Sequence, residues 1–390
     1  MIRRIAKTIC LFVAVTFNID AGANTHEEFE KRVKRHLALV GSKAIAAIKV
    51  IYLSGDVGPW VDTGMPVERG DLITTYAEGQ QVLSYAFNLS FEADLAVWKR
   101  IGSGTEVFRG PAAHTFNAEN NGSLELKLYP AVRWLGEEGE YDGEPPLNSL
   151  DSGGGVSILV VKWNPGTNVA QEMNKIVSND NSIWAKVVIA NVMEGPASAP
   201  KGWHFLHELG PSKIWSEEAK PGGSNAPSRA INAQINNDVS IITYGIDVRL
   251  TENTTLNWTW KMDQIPGVMA ENTALSHDYL SIAIAFDNGQ DLTYYWSKEM
   301  NAGEHYACPL PGWSFRETHI VARSGAAGLG EWISEEKSIL KDYKMAVGGK
   351  LPERVTGVWL IGVGIFKKVQ GAGAFGDIRL VDGESELKVY

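Results

Sequence analysis

The chain has 390 residues, with 46 acidic against 36 basic side chains. The resulting net charge of −10 disfavours nucleic acid as a partner, because phosphate binding needs clustered Lys and Arg. The length exceeds one ordinary domain and suggests two or three, and the 40 Gly and 16 Pro scattered among short Val, Ile, Thr and aromatic runs indicate many turns between short strands.

Taken in chain order, Arg3, Arg4 and Lys7 precede an apolar stretch at 8–17, and Ala21-Gly22-Ala23 follows as a small-residue cleavage site. Residues 1–23 therefore read as an export signal, with the mature protein periplasmic or secreted after cleavage near Ala23. The apolar stretch is too short for a permanent membrane helix, so no transmembrane segment is expected after cleavage. Cleavage would leave Cys308 as the single cysteine, which rules out an internal disulfide. Residues 24–41 are expected to hold a short helix, with Thr25 able to cap, glutamates early and basic residues late, in the sense that suits a helix dipole.

From residue 42 the texture becomes strand-rich, with candidates at 44–53, 71–76, 82–89, 124–129 and 156–163, and residues 42–165 read as one β-sandwich. Residues 166–200 read as a linker with a helix at 169–176 and a strand at 183–192. Residues 201–390 read as a second strand-rich domain, with strands at 239–250, 255–262, 280–286, 292–296, 318–322, 355–365 and 375–380 and one helix-like stretch at 332–346. The expected fold class is all-β, two sandwich or jelly-roll domains behind a short helix.

The aromatic pattern carries the chemistry. Trp258 and Trp260 stand two apart in one strand pattern, as do Tyr294 and Trp296 in another, and Gly312-Trp313 and Glu331-Trp332 follow. Residues two apart in a strand share a face, so each pair offers either a flat platform for the apolar face of a sugar ring or filling for a sandwich core. On the first alternative Trp258, Trp260, Tyr294, Trp296 and Arg323 are the expected ligand-binding residues, and the partner is a polysaccharide or cell-surface glycan. The oligomeric state is left open.

The segment Pro59-Trp60-Val61-Asp62-Thr63-Gly64, then Val67-Glu68-Arg69-Gly70-Asp71, and the later turn Asp151-Ser152-Gly153 resemble the β-sandwich of calcium-dependent galactose-binding bacterial lectins over about 120 residues. The resemblance implies a sandwich fold and a calcium site of oxygen ligands. Val67 occupies the position of the ligand tyrosine and Leu150 that of one Asn, leaving Asp151 and, with one insertion, Asp142. Calcium needs about six to eight oxygens, so the expectation is no cofactor, with calcium at Asp142 and Asp151 as the alternative.

The second domain carries Trp258-x-Trp260, Asp278-Tyr279, Phe286-Asp287, Tyr294-x-Trp296, Arg323-Ser324-Gly325, Trp332-x-x-Glu335-x-Lys337, Asp342-Tyr343 and Phe375-Gly376-Asp377-Ile378. On these residues it resembles the bacterial family called domain of unknown function 3047, and the resemblance implies a jelly roll like that of carbohydrate-binding modules. An enzyme is the second class of function considered. Glycoside hydrolysis needs paired carboxylates, for which Asp278, Glu335, Glu336, Asp342 and Asp377 are candidates. A polysaccharide lyase needs a Tyr or His base and a carboxylate neutraliser, for which Tyr279, Tyr294, Tyr343, His277, His319 and Arg323 are available. A third class, an envelope scaffold, would show neither activity. Gly-x-Ser-x-Gly, His-Glu-x-x-His and phosphate-loop motifs are absent from the sequence.

Overall fold

In the computed structural model, residues 19–56, 58–129, 134, 136–140 and 151–390 are described. Helix α1 (Ile19–Leu37) leads into β1 (Ile45–Ser54), β2 (Val61–Val67), β3 (Leu72–Ser84), β4 (Leu89–Glu92), the single turn α2 (Ala93–Ala96), β5 (Val97–Ile101), β6 (Ala113–Asn117), β7 (Gly122–Leu128) and β8 (Gly153–Trp163). One sheet runs β1-β8-β3-β4, with β6 also on β3, and faces a three-stranded sheet β2-β7-β5. Every pairing is antiparallel. Inward residues such as Val67, Ile73, Leu124, Leu126, Ile158 and Val160 fill the space between the sheets.

Within residues 166–200 the expected helix is present and the expected strand at 183–192 is not. These residues form α3 (Val169–Asp180) and α4 (Ile183–Glu194), a helical hairpin in place of a helix followed by a strand. The β-branched run of α4 reads as a strand by composition, yet its buried set is Trp184, Ala185 and Val188 while Ile183 is exposed, which is a helical stripe. Trp184 Nε1 donates to His36 Nδ1 at 2.7 Å and so ties α4 to α1. Phe29, Val33, Leu37, Met173 and Ile176 pack with Leu159, Val161 and Trp163 on the outer face of the larger sheet. The helices thus cover the central strands β3 and β8 on that face.

The second sandwich consists of β9 (His204–Phe205), β10 (Trp215–Ala219), β11 (Arg229–Asn236), β12 (Val239–Arg249), β13 (Thr254–Gln264), β14 (Tyr279–Phe286), β15 (Asp291–Ser297), β16 (His305–Ala307), β17 (Glu317–Ser324), β18 (Ile333–Ser338), α5 (Ile339–Ala346), β19 (Arg354–Val363), β20 (Gln370–Asp382) and β21 (Ser385–Lys388). The helix-like stretch at 332–346 is therefore a strand followed by a short helix. Seven strands in the order β16-β17-β15-β14-β19-β12-β9 form one sheet, and β10-β11-β20-β13-β18, with β21 on β20, form the other. The β15–β17 pair is parallel, carried by a crossover through β16.

All residues of β14 and β15 are buried, so the seven-stranded sheet is covered on its outer face as well as on its core face. One continuous apolar cluster joins Leu53, Phe91 and Leu95 of the first sandwich to Ile241, Ala283 and Ile361 on that outer face. Lys368 Nζ also donates to Ser90 Oγ at 2.9 Å. Among the described residues no helix is long and apolar enough to cross a membrane.

Candidate functional site

The paired aromatics share a face as expected, but that face is the inner one. Trp258, Trp260, Tyr294 and Trp296 are each at most 1% exposed. Trp258 contacts Tyr294 at 5.7 Å between ring centroids, and Trp260 contacts Trp296 at 5.7 Å, so rings of β13 interdigitate with rings of β15 across the two sheets. A sugar cannot reach them, because large rings on facing strands gain more from mutual burial than from standing in water. Arg323 covers the Trp296 ring at 5.6 Å and is paired with Glu335, so it caps the core instead of facing a ligand.

Several of the carboxylates considered for catalysis are engaged within the fold. Asp278 is buried and accepts the backbone N–H groups of Phe366 and Lys367 at 2.9 and 2.7 Å, which clips the connection between β19 and β20; burial pushes its carboxyl up to about 6. Tyr294 donates to Asp342 at 3.0 Å, and Tyr343 lies against Phe286 and is buried. Asp377 has φ of +47° where β20 shifts register against β13. Of the calcium candidates, Asp151 accepts from Ser84 Oγ at 3.0 Å and Ala86 N at 2.7 Å and so closes the turn after β3, while Asp142 lies outside the described residues.

Two histidines proposed as bases, His277 and His319, are brought together on the outer face of the seven-stranded sheet, with ring centroids 4.6 Å apart. Glu317 and His319 share that face because they are two apart on β17. Glu317 accepts from Thr293 Oγ1 at 3.0 Å and Tyr279 O–H at 3.3 Å. Cys308 joins them, and the ligating atoms of His277, Cys308, Glu317 and His319 lie within 4.8 Å of one another. All four are buried, so this group can hold a cation or a proton but offers no surface to a polymer.

Among the described residues, two recesses open to the surface bear on ligand binding. The larger, about 400 Å³, lies where Asp94, Leu95, Arg109 and His114 of the first sandwich meet Val192, Lys213 and Asp238. Arg109 Nη1 donates to the Asp94 carbonyl at 3.0 Å while its buried Nε has no hydrogen-bond partner. Burial raises the carboxyls of Asp94 and Asp238 above the usual range. Beside them burial and Arg109 push the Lys99 ammonium down to about 7, and burial and Lys99 push His114 down to about 3.

The second recess, about 280 Å³, is lined by Trp359 and Arg316, with Thr243, Gln290 and Thr356 among its polar lining, while the neighbouring Tyr244 and Phe286 rings turn to the opposite face, into the core between the sheets. The Arg316 guanidinium lies 5.0 Å from the Trp359 ring and 5.3 Å from the Trp313 ring. Its Nε donates to the buried Asp291 carboxylate at 3.3 Å, which fixes the fork. Phe315 beside it is 54% exposed. Sequence reasoning singled out Trp313 but missed Arg316 and Trp359, whose partnership depends on separate segments of the chain. The available signal was Trp313 three residues before an arginine in a chain segment rich in turn formers.

No curated protein matches the chain. Among solved structures, an EclA N-terminal domain, a PllA-like lectin, is 14% identical over 31% of this chain and 99% of its own, with a TM-score of 0.22. The xyloglucanase domain of NopAA, a type three effector from Sinorhizobium fredii, is 12% identical over 47% of this chain and 96% of its own, with a TM-score of 0.27. A carbohydrate-binding module, TmCBM61, seen with β-1,4-galactotriose, is 10% identical over 47% of this chain and 89% of its own, with a TM-score of 0.24. Residues 223–379, the greater part of the second sandwich, match the model of the family described as protein of unknown function (DUF3047).

Proposed function

We propose that this is an exported carbohydrate-binding protein that grips a polysaccharide or surface glycan in the recess lined by Trp359 and Arg316. The arginine held between two indoles beside that recess carries the proposal. A sugar ring has an apolar C–H face and a hydroxylated rim, so it suits an aromatic wall next to fixed hydrogen-bond donors. Asp291 and the two rings hold the guanidinium in place before any ligand arrives, which lowers the ordering cost of binding. At about 280 Å³ the recess is smaller than most enclosed small-molecule pockets, as suits a notch that seats part of a chain lying across it. Export is supported by the basic and then apolar leader.

The test is a glycan array probed with the folded protein and two variants. Thr356 is exposed at the rim, so Thr356→Trp should plug the recess without disturbing the core. Arg316→Lys should keep a positive charge beside Asp291 but lose the stacked fork, and weaken binding about tenfold. An array on which the wild type retains nothing would end the proposal.

A degradative reading has one specific support, the raised carboxyls of Asp94 and Asp238 lining the larger cleft. New reducing ends from a polysaccharide, lost in Asp238→Asn, would favour it over simple binding.

A further inference from the structure

Outside the proposed glycan recess, the covered face of the seven-stranded sheet holds a polar group that binding does not use. His277 enters from the segment before β14, Cys308 follows β16, and Glu317 and His319 stand two apart on β17. The four side chains are at most 5% exposed, and their donor atoms lie within 4.8 Å of one another. His277 donates Nδ1–H to the Glu271 carbonyl at 2.7 Å, which leaves the Nε2 lone pair facing Cys308 Sγ at 3.5 Å. The decisive observation is His319. It is fully buried, neither ring nitrogen has a hydrogen-bond partner, and Nε2 stands 3.4 Å from Glu317 Oε1 without hydrogen-bond geometry. Two buried imidazole nitrogens left unpaired carry a desolvation cost that a bound cation would offset at one of them.

We propose that His277 Nε2, Cys308 Sγ, Glu317 Oε1 and His319 Nε2 form a closed four-ligand centre for zinc or a similar divalent transition metal. The mixture of two imidazoles, one thiolate and one carboxylate is the donor set of a borderline-soft tetrahedral ion and lacks the oxygens that calcium requires. The outer contacts are of the kind that orient ligands: the Glu271 carbonyl on His277, and Thr293 and Tyr279 on Glu317. With four protein ligands and no route for substrate through Tyr306 and Phe366, which pack against the histidines, the centre would be structural. Binding releases the Cys308 proton to solvent as the thiolate takes its place on the ion.

The experiment uses the full chain with Cys10→Ser, so that Cys308 is the single thiol. Metal analysis of the purified protein should give about one zinc per chain, and chelator-treated protein should regain it and unfold at a higher temperature. Cobalt(II) should give a thiolate-to-metal charge-transfer band that Cys308→Ala abolishes. A folded protein that takes up neither metal overturns the proposal, and so does cobalt uptake without that band. Should Cys308→Ala fail to fold, the band in the single-thiol protein decides the matter alone. Glycan retention is read separately, so failure of the metal site leaves the recess untouched.

Discussion

Lys99 shows what burial does to a single side chain. It is 2% exposed on β5, near Arg109, and the combined cost of desolvation and like charge lowers its ammonium to about 7 from 10.5. A base whose folded pKa is depressed binds fewer protons folded than unfolded between those two values. Stability from this group therefore rises as pH climbs from about 7 toward 10.5, and is lost below about 7, where the folded state must carry a buried charge. Lys99→Met should stabilise the protein below about pH 7, and the advantage over wild type should shrink toward pH 10.5. Thermal unfolding of both proteins across that range checks it; a constant difference would show that Lys99 is already neutralised by a partner.

At the scale of elements, the strand pairs bearing Trp258, Trp260, Tyr294 and Trp296 show how far a pattern can be read. Period two placed both residues of each pair on one face, and β13 and β15 lie where the sequence put them. Which face was left open, because β15 is buried on both sides and its outward residues Thr293 and Tyr295 give no polar alternation of the kind that marks a solvated face. Trp260→Ala should consequently cost about 3–5 kcal/mol of stability, measured by denaturant unfolding. A loss below about 1 kcal/mol would mean that the ring packs loosely enough to serve a surface. The helix expected at 169–176 is present as α3, whereas α4 was illegible for a different reason: its Ile, Val and Ala serve either strand or helix, and only the sheet beneath decides which stripe is covered. The group of His277, Cys308, Glu317 and His319 and the recess at Arg316 combine residues from several segments, so no local spacing announces them. His277 and His319 were visible as residue types, and their meeting was not.

The whole molecule couples its two sandwiches through the apolar cluster that runs from Leu53 and Leu95 to Ala283 and Ile361. Separating them would expose the outer face of the seven-stranded sheet, so the two should unfold in one calorimetric transition. Two resolved transitions would show that the shared cluster contributes little. The same junction creates the cleft of Asp94, Arg109 and Asp238, while the recess of Trp359 and Arg316 belongs to the second sandwich together with its own loops. A single substitution at each of these two recesses tells them apart.

The most direct measurement is a calorimetric titration of the best glycan from the array into wild type, Thr356→Trp and Lys213→Glu, the last altering an exposed residue at the larger cleft. Recognition at the aromatic recess predicts affinity at least about tenfold weaker in Thr356→Trp and unchanged in Lys213→Glu. Full affinity in Thr356→Trp, with the loss appearing in Lys213→Glu, would contradict it and move the ligand to the junction between the sandwiches.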